Sequence, residues 1–331
     1  MGVDRVLIIA LAGLLVWMLS DVLLLIFVGL LLGIALDALA TPVARRTPLP
    51  RKLTLVLVAL MLVTGLGAFA AVIVPRAVGQ IDQLWNVVAE AVEAAGDTVT
   101  SWGWPDVELD DASDISQGRL LEVMQGIVGQ LAEITMTAIG FVGDLFVATA
   151  IGLFIAFDPA VYRRGFLALV PSRKRDWDAA ITETGRALRW WFLGQLVSMI
   201  VLGVTVSLGL MLLGVELWLS LGLLTGLFTF VPILGPIIAG APILLVSFTE
   251  STDVGLSVLV FYLLVQNVEG NFLVPYIQHR AVHLPPALLL AAMVVLGALF
   301  GLPGFILAAP LTVVGLVLVK KIYLEKADDL N

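Results

Sequence analysis

Seven long apolar runs, separated by short polar connections, make up most of the chain. They are Val6–Ala40 (split by Asp21), Leu53–Val74, Met136–Phe157, Trp190–Gly214, Leu217–Phe248, Val254–Phe272 and Ala287–Val319. A helix needs about 20 mostly apolar residues to cross a bilayer. In lipid every backbone N–H and C=O group must be paired within the protein, so continuously apolar runs of this length predict membrane helices. We interpret Asp21 as a turn between two short helices.

Composition supports the same class of protein. The chain has 331 residues, of which 60% are hydrophobic and 13% are charged. A soluble domain carries about 25% charged residues. The sequence therefore predicts an all-α, polytopic integral membrane protein whose main partner is the lipid bilayer. A soluble enzyme is excluded on this ground, and the net charge of -8 further disfavours nucleic-acid binding.

The chain has few residues that could catalyse a reaction or bind a metal. The chain has no Cys and two His, and neither His has a carboxylate cluster beside it. Disulfides, thiolate catalysis and zinc-thiolate sites are thus excluded. No catalytic triad, His-Glu-x-x-His motif or phosphate-binding loop is present either. We expect no enzyme activity, no cofactor and no metal site.

Basic residues are unevenly distributed among the connections. Four lie in residues 41–52, seven lie in residues 158–189, and Lys320 and Lys321 follow the last run. The positive-inside rule places these regions, and both termini, in the cytoplasm of an inner-membrane protein. Trp190 and Trp191 would then serve as an interfacial anchor or pack between subunits.

An acidic segment, residues 77–135, is expected outside the cell membrane because it has eleven Asp or Glu and one basic residue, Arg119. Apolar residues recur at alternating spacings of three and four from Val78 to Val99 and from Leu120 to Ile134, which predicts two amphipathic helices. Their apolar seams suit packing of the pair or contact between subunits of a homo-oligomer. We divide the chain into N-terminal membrane helices (1–76), this insert (77–135) and a C-terminal membrane core (136–331).

Two of the apolar runs are interrupted near their middle. Residues 217–249 contain Pro232, Gly235 and Pro236, and residues 286–319 contain Gly301, Pro303 and Gly304. Proline removes a backbone donor and glycine frees the backbone, so both runs should break. Each is then either a kinked span or a re-entrant hairpin with these residues at its tip.

The charges between the broken runs favour hairpins. Glu250 and Asp253 follow the first run and Arg280 precedes the second, so hairpins entering from opposite sides leave each charge on its preferred side. That arrangement is an inverted-topology repeat, which is typical of secondary transporters. Broken helices at membrane depth leave backbone groups that can bind a solute.

Polar residues cluster at the end of the helix between the two broken runs. Gln266, Asn267, Glu269 and Asn271 lie within six residues of each other, and Gln195 interrupts an earlier apolar helix. Ionisable residues in a membrane helix usually face a bundle interior or an aqueous path. We therefore interpret these five as a candidate binding site for a solute, cation or proton. The alternative for Glu269 is a position among lipid headgroups.

The last hundred residues resemble the autoinducer-2 exporter, or PerM-like, family of permeases, and the general layout agrees over nearly the whole chain. The matching motifs are Pro232-x-x-Gly235-Pro236, Asn267-x-Glu269-x-Asn271-Phe272-Leu273-x-Pro275, His283-x-Pro285 and Gly297-x-x-x-Gly301-x-x-Gly304-x-x-x-Ala308-x-Pro310. The resemblance implies an oligomeric inner-membrane transporter, with export of a small signal or sodium/proton antiport as expected activities. Secondary transport by alternating access is the leading hypothesis. The alternatives are an oligomeric passive pore and a docking protein.

Overall fold

The computed structural model describes residues 17–65, 67–68, 143–170, 174–275 and 284–324. These residues form helices and turns, with no β-strand among them, which confirms the all-α prediction. The helices are α1 (Ser20–Arg46), α2 (51–65), α3 (Gly143–Phe157), α4 (Pro159–Leu169), α5 (Lys174–Leu212), α6 (Trp218–Phe228), α7 (Leu234–Glu250), α8 (Thr252–Val268), α9 (Pro286–Ile306) and α10 (Ala308–Val319). A π-helical turn, Glu269–Leu273, continues α8, and a second, Lys320–Leu324, continues α10.

Several of these helices can cross a membrane. Within the described ranges four are long and apolar enough, namely Ser20–Arg46, Arg175–Leu212, Thr252–Leu273 and Pro286–Ile306. The number rises to five if α3 and α4, which meet at an angle of 91°, count as one broken span. The protein is therefore a polytopic helical membrane protein.

The first described helix corrects one sequence interpretation. Residues 17–18 are helical, Leu19 forms a turn and α1 begins at Ser20, so the break lies two residues before Asp21, which is in the first turn of α1. Further along, α1 crosses α3 where both backbones carry glycine. A Cβ on Gly152 would lie 2.7 Å from the carbonyl oxygen of Gly29 and 2.8 Å from the amide nitrogen of Gly33. Small residues at a helix crossing let two membrane helices approach closely, and the structure uses them here for that purpose.

A shared apolar core joins the two ends of the chain. Leu31 of α1, Leu188 of α5, Met293 of α9 and Val313 of α10 are all buried in one cluster. Since water cannot drive the association of helices inside a bilayer, such packing holds the bundle by close contact.

One carboxylate pairs with arginines from two other helices, and one of these arginines reaches a fourth helix. Asp37 of α1 forms ion pairs with Arg51 of α2 at 2.7 Å and with Arg189 of α5 at 3.2 Å. Arg51 also donates to the carbonyl of Ala156 in α3 at 3.0 Å. Two of the basic connections identified from the sequence therefore meet at a single acid.

The first broken run folds back on itself. Helix α6 ends at Phe228, residues 229–233 form turns, and Ile233 has a φ of 71° before α7 begins. The backbone N–H of Glu216, before α6, donates to the carboxylate of Glu250, the last residue of α7, at 2.8 Å. The two ends of the run therefore lie side by side.

The second run is also broken where the sequence predicts. Gly301 has φ 64° and ψ -151°, which interrupts α9, and Leu307 separates α9 from α10. A Cβ on Gly304 would lie 3.0 Å from the carbonyl carbon of Leu296 and 2.7 Å from the Cβ of Phe300. Residues eight apart in a straight helix are separated by about 12 Å, so the chain reverses direction at Gly301.

Contacts divide the chain into two compact units, residues 1–73 with 148–331, and residues 74–147. Apart from residues 143–147, the second unit lies outside the described residues. The amphipathic insert, its position outside the membrane and the three-part division of the chain stay predictions.

Candidate functional site

A cavity of about 740 Å³ lies among α5, the turn after α6, α7, α8 with its π-helical turn, and the start of α9. Most of its wall is apolar. Its polar lining side chains, among the described residues, are Gln195, Ser198, Thr229, Tyr262, Gln266 and Glu269. A large apolar pocket with a few convergent polar groups is the usual form of a small-molecule site.

Helix α5 contributes one face to this cavity. Trp191, Gln195 and Ser198 follow at spacings of four and three, which places them on the same side of the helix. Trp191 is 6% exposed and contacts the ring of Phe230 edge-on, with ring centroids 5.8 Å apart. The interfacial anchor expected from the sequence is therefore wrong for Trp191, which packs inside the protein.

The end of α6 is stabilised by side chains. The amide Nε2 of Gln195 donates to the backbone carbonyl of Thr229, the first residue after the helix. The hydroxyl of Thr229 donates to the carbonyl of Thr225 at 2.7 Å. The last carbonyls of a helix have no partner within the helix, and Gln195 supplies a donor to one of them.

Tyr262 connects α8 to the break. Its hydroxyl donates to the carbonyl of Pro236, in the first turn of α7, at 2.6 Å, and its side chain is buried. Gly240, one turn further along α7, lies against the same ring, because a Cβ there would be 2.9 Å from a Tyr262 ring carbon. Tyr262 therefore positions the broken run against α8.

The last turns of α8 bring a carboxylate to the cavity. Tyr262, Gln266 and Glu269 are spaced four and three residues apart and all line it. The side-chain nitrogen of Gln266 is buried and has no hydrogen-bond partner in the described part of the chain. The carboxylate of Glu269 is half-buried. One unpaired donor and one acid thus face the same space.

The two asparagines of the predicted site lie elsewhere on this helix. Asn267 and Asn271 are exposed, and the side chain of Asn271 donates to the backbone carbonyl of Asn267 at 2.9 Å and to its side-chain oxygen at 3.2 Å. Neither lines the cavity. Their contact with a solute stays a prediction.

Of the residues predicted at the tips of the two broken runs, those of the first run lie at the cavity and those of the second do not line it. Pro232 and Pro236 line the cavity, and Gly235 packs against the carbonyl of Phe228. Gly301, Pro303 and Gly304 of the second break are not among its lining residues. The structure therefore assembles the described cavity around the first break.

Sequence reasoning missed Thr229 and Tyr262 as parts of the site. Both are common residues in membrane helices and neither is charged, so composition did not mark them. Helical spacing was the available signal, because Tyr262 lies one turn before Gln266 on the face that carries Glu269.

Comparison with known proteins shows the family. The sequence profile described as "AI-2E family transporter" matches residues 6–324 of the chain. The chain belongs to the AI-2E transporter family. This confirms the resemblance drawn from its motifs and supports a role in membrane transport.

Several similar proteins carry transport or permease names. The chain is 26% identical over 303 residues to "Putative transport protein YrrI" of Bacillus subtilis, covering 87% of this chain and 84% of that protein. It is 22% identical over 299 residues to "Putative transport protein YueF" of the same organism, covering 86% and 81%. It is 29% identical over 132 residues to "Putative permease PerM" of Escherichia coli, covering 39% and 37%. The two Bacillus proteins thus match most of the chain, whereas the match to the Escherichia coli permease covers little more than a third of it.

Proposed function

We propose that this AI-2E family member is a secondary transporter that moves a small solute by alternating access, in exchange for or together with a proton or Na⁺. Glu269 is the group that couples the two movements. Export of a small signalling molecule and Na⁺/H⁺ exchange are the two forms of this activity that the family resemblance suggests.

The observation that carries the proposal is the meeting of Glu269 with a broken helix at one cavity. A carboxylate is costly inside a membrane, and such residues usually mark ion or proton pathways. Discontinuous helices at a cavity are the recurring binding element of secondary transporters. Here Glu269, Gln266 and Gln195 face Pro232 and Pro236 across the same space.

The folded-back ends of the first broken run support a re-entrant hairpin. Helices α6 and α7 have 11 and 17 residues, so they extend for roughly 17 Å and 26 Å, short of a hydrocarbon core of about 30 Å. The hydrogen bond from Glu216 to Glu250 holds the two ends next to each other, which supports a position of both ends on one side of the membrane. We propose that the run enters from the extracytoplasmic side and presents residues 229–237 to the cavity.

The contacts of Asp37 support the orientation in the inner membrane. The positive-inside rule assigns Arg51 and Arg189 to the cytoplasm, and both pair with Asp37. The orientation with both termini in the cytoplasm requires these two regions to lie on the same face.

Flux in proteoliposomes tests the proposal. Purified protein is reconstituted with pH-sensitive and Na⁺-sensitive dyes in the lumen, and an imposed solute gradient should change the luminal concentration of the coupling ion. The Glu269→Gln variant should give the signal of empty liposomes, because it keeps the side-chain shape and removes the titratable group. The matched control is Asp253→Asn, which removes an exposed acid at the other end of α8 and should leave flux unchanged.

Two results would overturn the proposal. Full coupled flux in Glu269→Gln would remove this carboxylate from the mechanism. Single-channel currents without saturation or exchange would instead establish the alternative, a passive pore formed by an oligomer.

A further inference from the structure

Glu269 is the sole charged residue among the described residues that line the cavity. Lys and Arg are absent from that set, while the nearby Arg189 is paired with Asp37. The described wall thus carries one carboxyl group, which is negative when ionised, on a mainly apolar surface. In such surroundings the charge of a ligand decides strongly whether it binds, because a low local dielectric strengthens charge interactions.

The broken helix offers little to an anion, although a helix N-terminus is often an anion site. At the start of α7 the N–H of Leu234 donates to the carbonyl of Pro232 at 2.8 Å. The N–H of Gly235 donates to the carbonyl of Val231 at 2.9 Å. The next residue, Pro236, has no N–H. Two of the first four N–H groups of α7 are therefore used within the turn, and a third is missing.

The size and wall of the cavity suit an organic molecule. Its volume of about 740 Å³ falls within the range of roughly 300–1,000 Å³ for pockets that hold drug-sized ligands. Trp191 provides an aromatic ring on α5, and leucines from α7, α8 and α9 (Leu244, Leu259, Leu289) provide apolar surface. Cations bind favourably over the face of a tryptophan ring. A bare inorganic ion would leave most of this surface without contact.

We propose that the cavity binds an amphipathic organic monocation, with its charged group near Glu269 and its apolar body against Trp191 and the leucines. The side-chain amide of Gln266 lines the same cavity and can donate to a carbonyl or hydroxyl oxygen of such a ligand. This assignment names a substrate class for the transporter proposed above. The claim that the ligand is transported rests on that proposed function. Binding itself does not depend on it.

A pair of probes with the same shape and opposite charge tests the proposal. Tetraphenylphosphonium is a cation, and tetraphenylborate is its anionic counterpart. Equilibrium dialysis of the purified full chain in a sodium buffer with uncharged detergent measures both. The wild-type protein should bind tetraphenylphosphonium saturably and about tenfold or more tightly than tetraphenylborate. Equal affinity for the two, or tighter binding of the anion, would overturn the assignment without any variant.

Substitutions then test whether Glu269 supplies the charge that distinguishes the two probes. Glu269→Gln should weaken tetraphenylphosphonium binding by about tenfold or more, because it removes the partner charge. Glu269→Lys should reverse the preference between the two probes. The control Asp253→Asn should bind both probes as the wild type does. Unchanged cation binding in folded Glu269→Gln would contradict the proposal.

The two proposals fail separately. Selective, Glu269-dependent binding of the phosphonium with no coupled flux would refute transport and leave the ligand class standing. Coupled Na⁺ or proton flux through a protein that does not discriminate between the probes would refute the ligand class alone.

Discussion

Replacing Gly235 with alanine should separate the two arms of the first broken run. A Cβ added to Gly235 would overlap the carbonyl oxygen of Phe228, lie 2.5 Å from its carbonyl carbon and lie 3.2 Å from the backbone nitrogen of Thr229. These are backbone atoms, so no change of rotamer relieves the clash. Non-bonded carbons rest at about 3.5–4.0 Å, and the ends of α6 and α7 would have to move apart by about 1 Å.

The expected cost follows from this geometry. Overpacking a core lowers the free energy of unfolding by about 1–3 kcal/mol. Because the atoms in the way belong to the backbone, we expect Gly235→Ala to lie at the upper end, about 3 kcal/mol. Gly315→Ala is the matched control, since Gly315 lies in the apolar helix α10 and a Cβ there meets nothing within 4 Å. This control should keep or gain stability, by up to about 1 kcal/mol, because alanine is the better helix former.

The stability of both variants is measured by unfolding in mixed micelles with an increasing fraction of SDS. The fluorescence of the eight tryptophans is the signal. Gly235→Ala should unfold at a clearly lower SDS fraction than the wild type, and its flux should fall with the displaced turn. Unfolding of Gly235→Ala at the wild-type SDS fraction would refute the close packing of the two arms.

Three further substitutions test other contacts by the same unfolding assay. Asp37→Asn should lower the free energy of unfolding by about 1 kcal/mol, because its two ion pairs are partly exposed. This loss should become smaller at high salt, and a loss that does not depend on salt would contradict the prediction. Tyr262→Phe should lower the free energy of unfolding by about 1–2 kcal/mol, because it removes the 2.6 Å hydrogen bond to Pro236. Wild-type stability of this variant would show that the bond does not stabilise the fold. Gly152→Leu should cost about 3 kcal/mol or more where α1 crosses α3, so wild-type stability would show that the crossing is looser than described.

Much of the fold follows from the sequence because membrane structure depends on strong, local signals. Apolar runs of sufficient length must be helical, and Pro232 with Gly235 and Pro236 must interrupt one of them. The break at Gly301 follows similarly, since a φ of 64° is costly for residues other than glycine.

The candidate site was only partly predictable because side-chain direction depends on phase and on tertiary contacts. Gln266 and Glu269 line the cavity, whereas Asn267 and Asn271 lie four residues apart on an exposed part of the same helix. A strict helical phase would have separated these two pairs. No pattern in the sequence shows that Gln195 reaches the carbonyl of Thr229, because that contact joins residues 34 positions apart.

Cysteine accessibility at the two ends of the first broken run tests the re-entrant hairpin most directly. The natural chain has no Cys, so Glu216→Cys and Glu250→Cys each introduce a single reactive thiol, and Lys52→Cys serves as the cytoplasmic control. A membrane-impermeant maleimide applied to intact cells should label both ends of the run, and should label the control only after permeabilisation. Labelling of one end in intact cells and of the other only after permeabilisation would show that residues 216–250 cross the membrane once, and would contradict the account.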